Sequence, residues 1–311
     1  MKFRITLLAA LLLAGLPAVA TGLGTSARAM IPSTTQQIIS VDYRTLRNSP
    51  TGMALKERVL PQNLKSLEGS LRNVGIEASS IEQITFASVR TKDGSLRLLC
   101  LATGSFTRAS VLQRLRAQKV RPALYRSTNL YPMGTGMELT FADPSTLAFG
   151  DPNALRAALD TRDGMAESLS SNSTLNDMVQ DVASGPVWSV LDAAGTQAML
   201  RSALGQASSL NEFGTVSQRL LGSRYSMDFA NGVNFDLNVV TTDQMTAATL
   251  SSLLQAAMML RKQQATGAER AALENLSVDS DSHDLKVHFQ SDDQRFQALM
   301  KTEFFNVVSA R

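Results

Sequence analysis

Two stretches of the chain share one pattern of apolar and polar positions. In "FASVRTKDGSLRLLCLATGSFTRASVL", residues 86–112, apolar runs flank an Asp93-Gly94 pair. This is a strong hairpin signal, because the type I′ turns that join hairpins need positive φ. Thr107 then stands where a helix cap is expected, with Phe106 and Val111 at the spacing of a hydrophobic staple. The stretch predicts strand, turn, strand and helix.

The same order of elements is predicted at residues 225–264. Tyr225 and Met227 begin an alternation of apolar and polar residues on both sides of Asn231-Gly232 in "YSMDFANGVNFDLNVVTTDQMTAATL". Thr242 or Asp243 is predicted to cap the helix that follows. Gly232 thus occupies the place in this stretch that Gly94 occupies in the first.

Two more hairpins are related in the same way. "MELTFADPSTLAFGDPNALRAAL" predicts strands on either side of Asp143 and a helix from Asp151, where a cap residue precedes proline. "NLSVDSDSHDLKVHFQSDDQRFQALM" predicts strands around Asp281 and a helix that starts near Asp292. The displacement along the chain from Asp143 to Asp281 equals that from Gly94 to Gly232, so the pattern predicts a tandem duplication.

The predicted fold class is α+β. Each half is expected to run β-α-β-β-α-β-β-α, with a ferredoxin-like (split β-α-β) antiparallel sheet covered by helices. Asp42 and Asp192 each follow the first predicted strand of a half, and we interpret them as turn or cap residues. The predicted boundaries are 34–163 for the first half, 164–185 for a polar linker with a short helix, and 186–311 for the second half. Whether the two sheets join is left open by the sequence.

The first 29 residues predict a secretory signal. Lys2 and Arg4 precede an apolar run, and small residues follow around Pro17, with cleavage expected after Ala20 or after Ala29. The alternative is an uncleaved anchor, which would be the only membrane contact. The run is shorter than the roughly 20 residues that a membrane span needs, which favours cleavage. We therefore expect an exported protein, in the periplasm or outside the cell.

The one cysteine, Cys100, excludes an intrachain disulfide, and its apolar neighbours predict a buried and unreactive thiol. A chain of 311 residues with 44% hydrophobic residues can instead rely on a large core.

The distribution of charge is uneven along the chain. The net charge of +3 comes from the first 29 residues, because the remainder holds 27 basic and 27 acidic residues. This balance argues against nucleic-acid binding. No acid occurs from residue 94 to 137, and this segment supplies the candidate binding residues Arg108, Arg114, Arg116, Lys119, Arg121 and Arg126. They could meet an unknown envelope protein or another anionic surface, or they could pair with the acidic stretch 139–192 of the same chain.

Recognisable catalytic motifs are missing from the sequence. It contains no G-x-S-x-G, S-x-x-K, H-E-x-x-H or G-x-x-x-x-G-K-[ST] motif, and no cofactor is predicted. A weak metal candidate is formed by Asp279, Asp281 and His283, which resemble the first half of a calcium loop. The glycine and the glutamate that such a loop needs at its sixth and twelfth positions are absent.

The sequence thus favours an exported, non-catalytic binding or interaction protein of the cell envelope, with an unknown partner. Two alternatives stay open: a hydrolase-like enzyme with its site in a cleft, and a structural or membrane-anchored envelope protein. A sheet face or a cleft between the halves is the expected binding site.

Overall fold

The computed structural model describes residues 22–59, 62–134, 136–182, 185–209 and 211–301. In this part of the chain, twelve strands form one antiparallel sheet with helices against it. The α+β class is therefore confirmed. The apolar run of the predicted signal, and both residues flanking the first predicted cleavage site, lie outside the described residues. Among the described helices, none combines the length and apolar character needed to cross a membrane.

The strands are β1 (Thr35–Asp42), β2 (Ile81–Arg90), β3 (Leu96–Gly104), β4 (Ala123–Tyr125), β5 (Thr128–Pro132), β6 (Glu138–Phe141), β7 (Thr146–Gly150), β8 (Val187–Asp192), β9 (Leu220–Asp228), β10 (Val233–Thr241), β11 (Leu276–Asp281) and β12 (Asp284–Ser291).

The helices are α1 (Thr25–Met30), α2 (Tyr43–Arg47), α3 (Pro50–Val59), α4 (Gln62–Asn73), α5 (Arg108–Ala117), α6 (Pro152–Arg162), α7 (Ser173–Val182), α8 (Ala193–Leu204), α9 (Asn211–Ser217), α10 (Gln244–Gln264), α11 (Gly267–Glu274) and α12 (Asp293–Met300).

The strand order is β11-β12-β10-β9-β8-β1-β2-β3-β7-β6-β5-β4. β1 and β8 pair at the centre, where Ile38 lies opposite Val190, so the two halves share one sheet. Residues paired across strands lie on the same face, and successive residues alternate between faces. Ile38, Val190 and Ala87 therefore share one face with Trp188, called here the Trp188 face. The opposite face is called the Phe149 face.

Helices cover both faces of the first half. α1, α6 and α7 bury Met30, Leu155 and Val179 on the Trp188 face. α4 and α5 bury Leu71 and Leu115 on the Phe149 face. The core of the first half is therefore three layers thick, with the sheet in the middle.

In the second half, the described helices after β8 pack mainly on one face. α8, α9 and α10 bury Leu200, Phe213 and Leu250 on the Phe149 face. α12 lies on the same face, where Phe296 packs against Phe289 with ring centres 6.2 Å apart. On the Trp188 face, β10, β11 and β12 present mostly polar side chains to solvent.

Strand order is the same on both sides of the central pair. Moving outward, the first half runs β1, β2, β3, β7, β6 and the second half runs β8, β9, β10, β12, β11. The constant displacement seen in the sequence does not hold in detail. Ala87 pairs with Leu99 on the Trp188 face, whereas their counterparts at that displacement, Tyr225 and Leu237, pair on the Phe149 face. A shift of one residue reverses the face of every side chain in a strand, so the predicted duplication is not confirmed by the register.

The ferredoxin-like arrangement is not confirmed either. A split β-α-β unit places another strand between two parallel strands. Here β1 pairs directly with β2, and β2 with β3, all antiparallel.

The predicted helix caps are confirmed. Thr107 accepts a hydrogen bond from the backbone N–H of Ser110 at the start of α5, and Asp151 caps α6. Asp42 and Asp192 cap α2 and α8, as expected of turn or cap residues. Asp243, rather than Thr242, caps α10. Local sequence was sufficient for these predictions because a cap acts within one helical turn.

The turn type predicted for the two main hairpins was wrong. Type I′ needs positive φ at both central residues, but only the glycines have it, with φ of 79° at Gly94 and 88° at Gly232. Gly232 is also crowded, since a Cβ there would lie 2.3 Å from the carbonyl oxygen of Ser291.

Cys100 is fully buried, and burial raises the pKa of its thiol. The predicted burial of this thiol is therefore confirmed, and a raised pKa disfavours the thiolate, which is the reactive form.

Candidate binding site

A pocket opens where β5 separates from β6. The two strands pair only at Tyr131–Leu139 and Pro132–Glu138, and from there β5 continues into a hairpin with β4. The gap leads into a pocket of about 230 Å³. Its lining residues are Arg108, Leu112, Ser127, Thr128, Asn129, Tyr131, Thr140, Phe141, Ala142 and Arg162.

α5 brings the first guanidinium to this pocket. Val111 and Leu115 are buried in the core of the Phe149 face, which fixes the rotation of α5 and leaves Arg108 and Leu112 beside the pocket. The guanidinium carbon of Arg108 lies 5.8 Å from the centre of the Phe141 ring, a cation–π contact. Arg108 forms no ion pair with any carboxylate in the described part of the chain. Its charge is therefore available to a ligand.

α6 brings the second guanidinium, from Arg162 in its last turn. Arg162 Nε donates to Asp163 Oδ1 at 2.8 Å, and Arg162 Nη2 donates to Thr128 Oγ1 at 3.0 Å. A hydroxyl that accepts a hydrogen bond keeps its own proton for donation. Since Asp163 balances the charge of Arg162, the arginine serves chiefly to orient Thr128.

The remaining polar groups of the lining are neutral. Thr140 Oγ1 donates to the carbonyl oxygen of Asn129 at 3.0 Å, which holds the strands together beside the gap. The lining contains no Asp or Glu. The pocket is therefore rich in hydrogen-bond donors and suited to an anion.

Among the described residues, Arg126 is the one member of the predicted basic cluster that pairs with the acidic stretch. Its Nε lies 2.8 Å from Asp160 Oδ1, which also accepts a hydrogen bond from the Tyr125 hydroxyl at 2.8 Å. The hydrogen bond and the charge of Asp160 raise the pKa of Arg126. The pKa of Tyr125 is raised by burial first and by Asp160 second. For Arg126, pairing within the chain is the correct interpretation.

The other five predicted residues remain exposed and form no ion pair with the described residues. Arg108 alone lines the pocket. Arg116 lies one turn beyond Leu112 on the same side of α5. Arg114 lies over Gly75, where an added Cβ would be 3.6 Å from Arg114 Cδ. Arg121 follows α5 and is exposed.

Lys119 occupies a position where glycine is usual. It has φ of 57°, and it follows the C-cap of α5 in a motif where Val120 N–H donates to the Leu115 carbonyl oxygen at 3.0 Å. Arg126 also has positive φ, 53°. A side chain in this region costs on the order of 1 kcal/mol. Two basic residues thus occupy backbone positions where glycine would be free of strain.

The predicted metal candidates have separate partners. Asp281 Oδ2 accepts a hydrogen bond from Lys286 Nζ at 2.8 Å, which lowers the pKa of Asp281 and raises that of Lys286. Asp279 Oδ1 accepts from the backbone N–H of Ser280, and His283 lies 3.7 Å from Asp284. Among the described residues, no three acidic, histidine or cysteine side chains form a group that could hold a metal. The structure gives the metal candidate no support.

Sequence reasoning missed a row of polar residues on the Trp188 face. Asp236 and Ser277 lie on either side of His288 in the paired strands, and His288 Nδ1 lies 2.7 Å from Asp236 Oδ1. The Ser277 hydroxyl points toward the His288 carbonyl oxygen instead of its ring. All three side chains are exposed. These residues lie side by side only because of the register of three paired strands. Their spacing along the chain therefore gives no indication of the row.

A second pocket of about 420 Å³ lies at the other end of the sheet, beside Asn231, His288 and Arg295. Neither pocket touches β1 or β8. One of the expected binding sites was a cleft between the halves. At the centre of the sheet the halves instead pair directly through β1 and β8.

Comparison with known proteins identifies no family. No family model matches the chain, and no curated protein matches it. Crystal form I of TP0453 is 10% identical, with a TM-score of 0.49 over 91% of this chain and 96% of that chain. Crystal form III is 8% identical, with a TM-score of 0.47 over 91% and 98%, respectively. At this level the likeness does not bear on function.

Proposed function

We propose that this chain is an exported, non-catalytic binding protein of the cell envelope, and that the basic side of its first half is the binding surface. The observation that carries the proposal is the set of exposed basic side chains on and after α5 that lack an ion-pair partner in the described structure. They are Arg108, Arg114, Arg116, Lys119 and Arg121.

The physical consequence is a preference for an anionic partner. Exposed charges are screened over about 10 Å at 0.1 M salt, so these side chains attract a partner only at short range. A protein with an acidic surface in the envelope fits this chemistry. Such binding weakens with salt, because rim charges contribute to association chiefly through their field.

The packing of α1 supports one of the two predicted cleavage sites. Leu23, Ala27 and Met30 are buried, and Arg28 Nη1 donates to Asn176 Oδ1 at 3.2 Å. Cleavage after Ala29 would remove most of these contacts, whereas cleavage after Ala20 would keep them. These contacts support cleavage after Ala20, which we propose as the end of the signal.

Amino-terminal sequencing of the protein recovered from envelope fractions tests export. The expected first residue is Thr21. A chain that starts at Met30 would contradict the role of α1, and a chain that keeps residues 1–20 would contradict cleavage.

A capture experiment tests the binding surface. Envelope extracts are passed over the immobilised protein at 50 and 500 mM salt, and retained proteins are identified and quantified. The double variant Arg116→Gln/Lys119→Gln is compared with Arg201→Gln/Lys262→Gln, a matched pair of basic residues in the second half. The first double variant and high salt should each lower capture of the main partner at least tenfold, while the control pair should change it less than twofold. Equal losses from the two pairs would refute the proposed surface.

We also propose that the two halves descend from one duplicated unit. The shared strand order supports this idea, and the differences in register would then have arisen after duplication. On this view the β4–β5 hairpin is an addition to the first half, since residues 242–275 of the second half form α10 and α11 and no strand.

A further inference from the structure

We propose that the pocket between α5 and the β4–β5 hairpin binds a single oxyanion group, a phosphate or a carboxylate. The group is held by Arg108 and by the Thr128 hydroxyl. This inference rests on the proposed function, since it assigns a ligand class to one point of the same basic surface.

Arg108 has the properties of an anion-binding arginine. The Phe141 ring lies against its guanidinium at 5.8 Å, and no carboxylate of the described residues competes for it. The planar guanidinium can donate two parallel hydrogen bonds to a carboxylate or a phosphate. Stacking on a ring leaves these in-plane donors free for a ligand.

Thr128 adds a second donor with a defined direction. Because its oxygen accepts from Arg162 Nη2 at 3.0 Å, its proton is directed away from Arg162. The ion pair with Asp163 holds the Arg162 guanidinium in the position from which it donates to Thr128. A basic surface without such a hydroxyl would attract anions without orienting them.

The size and lining of the pocket restrict the ligand. Its volume of about 230 Å³ is below the range of roughly 300–1,000 Å³ typical of drug-sized sites. Leu112, Tyr131 and Phe141 form an apolar wall beside the donors. The pocket therefore fits one acidic group with a short apolar stem.

Calorimetric titration of the purified protein tests the inference. Inorganic phosphate and acetate are the probes, added at constant ionic strength against chloride. Arg108→Gln should weaken binding of the preferred anion by about tenfold or more, as expected for a lost charged hydrogen bond. Thr128→Val should weaken it about fivefold, and Thr128→Ser should restore it, because only the hydroxyl is required.

Arg201→Gln is the matched control, because Arg201 is an exposed arginine on α8 of the second half and lines neither pocket. It should change binding less than twofold. Thermal unfolding of each variant confirms that the fold is kept. Preference for phosphate or for acetate identifies the group, and either one supports the site.

Two results would overturn the site. One is no heat of binding for either probe up to 50 mM, and the other is an equal loss of binding from Arg108→Gln and Arg201→Gln. Neither result affects the capture experiment, which depends on Arg116 and Lys119. Conversely, if high salt did not lower capture while phosphate still bound in the pocket, the proposed function would be refuted. The inference about the pocket would not be affected.

Discussion

The two halves of the sheet share a strand order and differ in how their last helix is placed. α6 follows β7 onto the Trp188 face, where Leu155 and Leu159 are buried. α12 follows β12 onto the Phe149 face, where Phe296 and Leu299 are buried. The comparison shows that strand order alone does not determine which faces are covered. The two halves therefore have the same order of strands, but the helix after the fourth strand of each half, counted outward from the central pair, packs on opposite faces.

The proposed binding site lies beside the β4–β5 hairpin. Within the described residues, only the first half has this hairpin. The β4–β5 hairpin and its gap from β6 create the pocket, and residues 242–275 form helices in the corresponding place. Four pairs of substitutions, with one residue of each pair in each half, test how the two halves differ.

The largest effect is expected at the hairpin glycines. Gly232→Ala should lower the free energy of unfolding by about 4 kcal/mol or more, because strain at positive φ adds to overlap with the Ser291 carbonyl. Gly94→Ala should cost only about 1–2 kcal/mol, since a Cβ there meets nothing within 4 Å. Urea unfolding followed by the fluorescence of Trp188, the single tryptophan, measures both. Equal losses would mean that the two turns are not differently crowded.

Next in size is the contrast between Asp143 and Asp281. Burial alone would raise the pKa of Asp143, but hydrogen bonds from Ser26, Ser145 and Thr146 hold it well below its ordinary value. Asp143→Ala should cost about 2 kcal/mol at pH 7, because several hydrogen bonds to one carboxylate are lost. Asp281→Ala should change the stability little, since its exposed pair with Lys286 is weak.

The acid sensitivity of Asp143 follows from the sign of its shift. Its pKa is lower in the folded state, so its contribution is present above the ordinary aspartate pKa of about 4 and declines as the pH falls below it. When the pH is lowered from 7 to 3, the free energy of unfolding measured with urea should decrease less in Asp143→Ala than in the wild type. An equal decrease in the variant and the wild type would contradict the role of this carboxylate.

A smaller effect is expected at the helix caps Thr107 and Asp243. Thr107→Ala should cost about 1 kcal/mol at any pH, because a hydroxyl caps α5. Asp243→Ala should also destabilise at pH 7, but the difference from the wild type should shrink as the pH approaches 2. The backbone N–H and hydroxyl of Thr246, with Thr242, lower the pKa of Asp243 to about 2, so only the carboxylate form contributes fully. Thermal unfolding across pH 2–7 distinguishes the two caps.

The smallest effect is a gain in stability. Lys119→Gly should raise the free energy of unfolding by about 0.5–1 kcal/mol, because glycine removes the strain of positive φ. Ser282→Gly, at φ of 54° in the second half, should give a similar gain. Only Lys119→Gly should also weaken capture of the anionic partner. A gain in stability without a loss of capture would separate Lys119 from binding.

Local features of this fold could be predicted from sequence, and long-range ones could not. The hairpins at Gly94 and Gly232, the caps at Thr107 and Asp151, and the buried Cys100 depend on neighbours within a few residues. The β1–β8 pair, the opposite faces of α6 and α12, and the pocket depend on register between distant strands. Arg108 was a candidate because of its charge alone. Its partner Thr128 carried no sequence signal, because their proximity depends on where β5 leaves β6.

The central strand pair also bears on the timing of folding. Ile38 lies opposite Val190, so the middle of the sheet cannot close until more than half of the chain has been synthesised. Contacts between such distant positions make folding slow. Under the export proposed above, the polypeptide would cross a membrane unfolded, and this delay would help to keep the nascent chain competent for translocation.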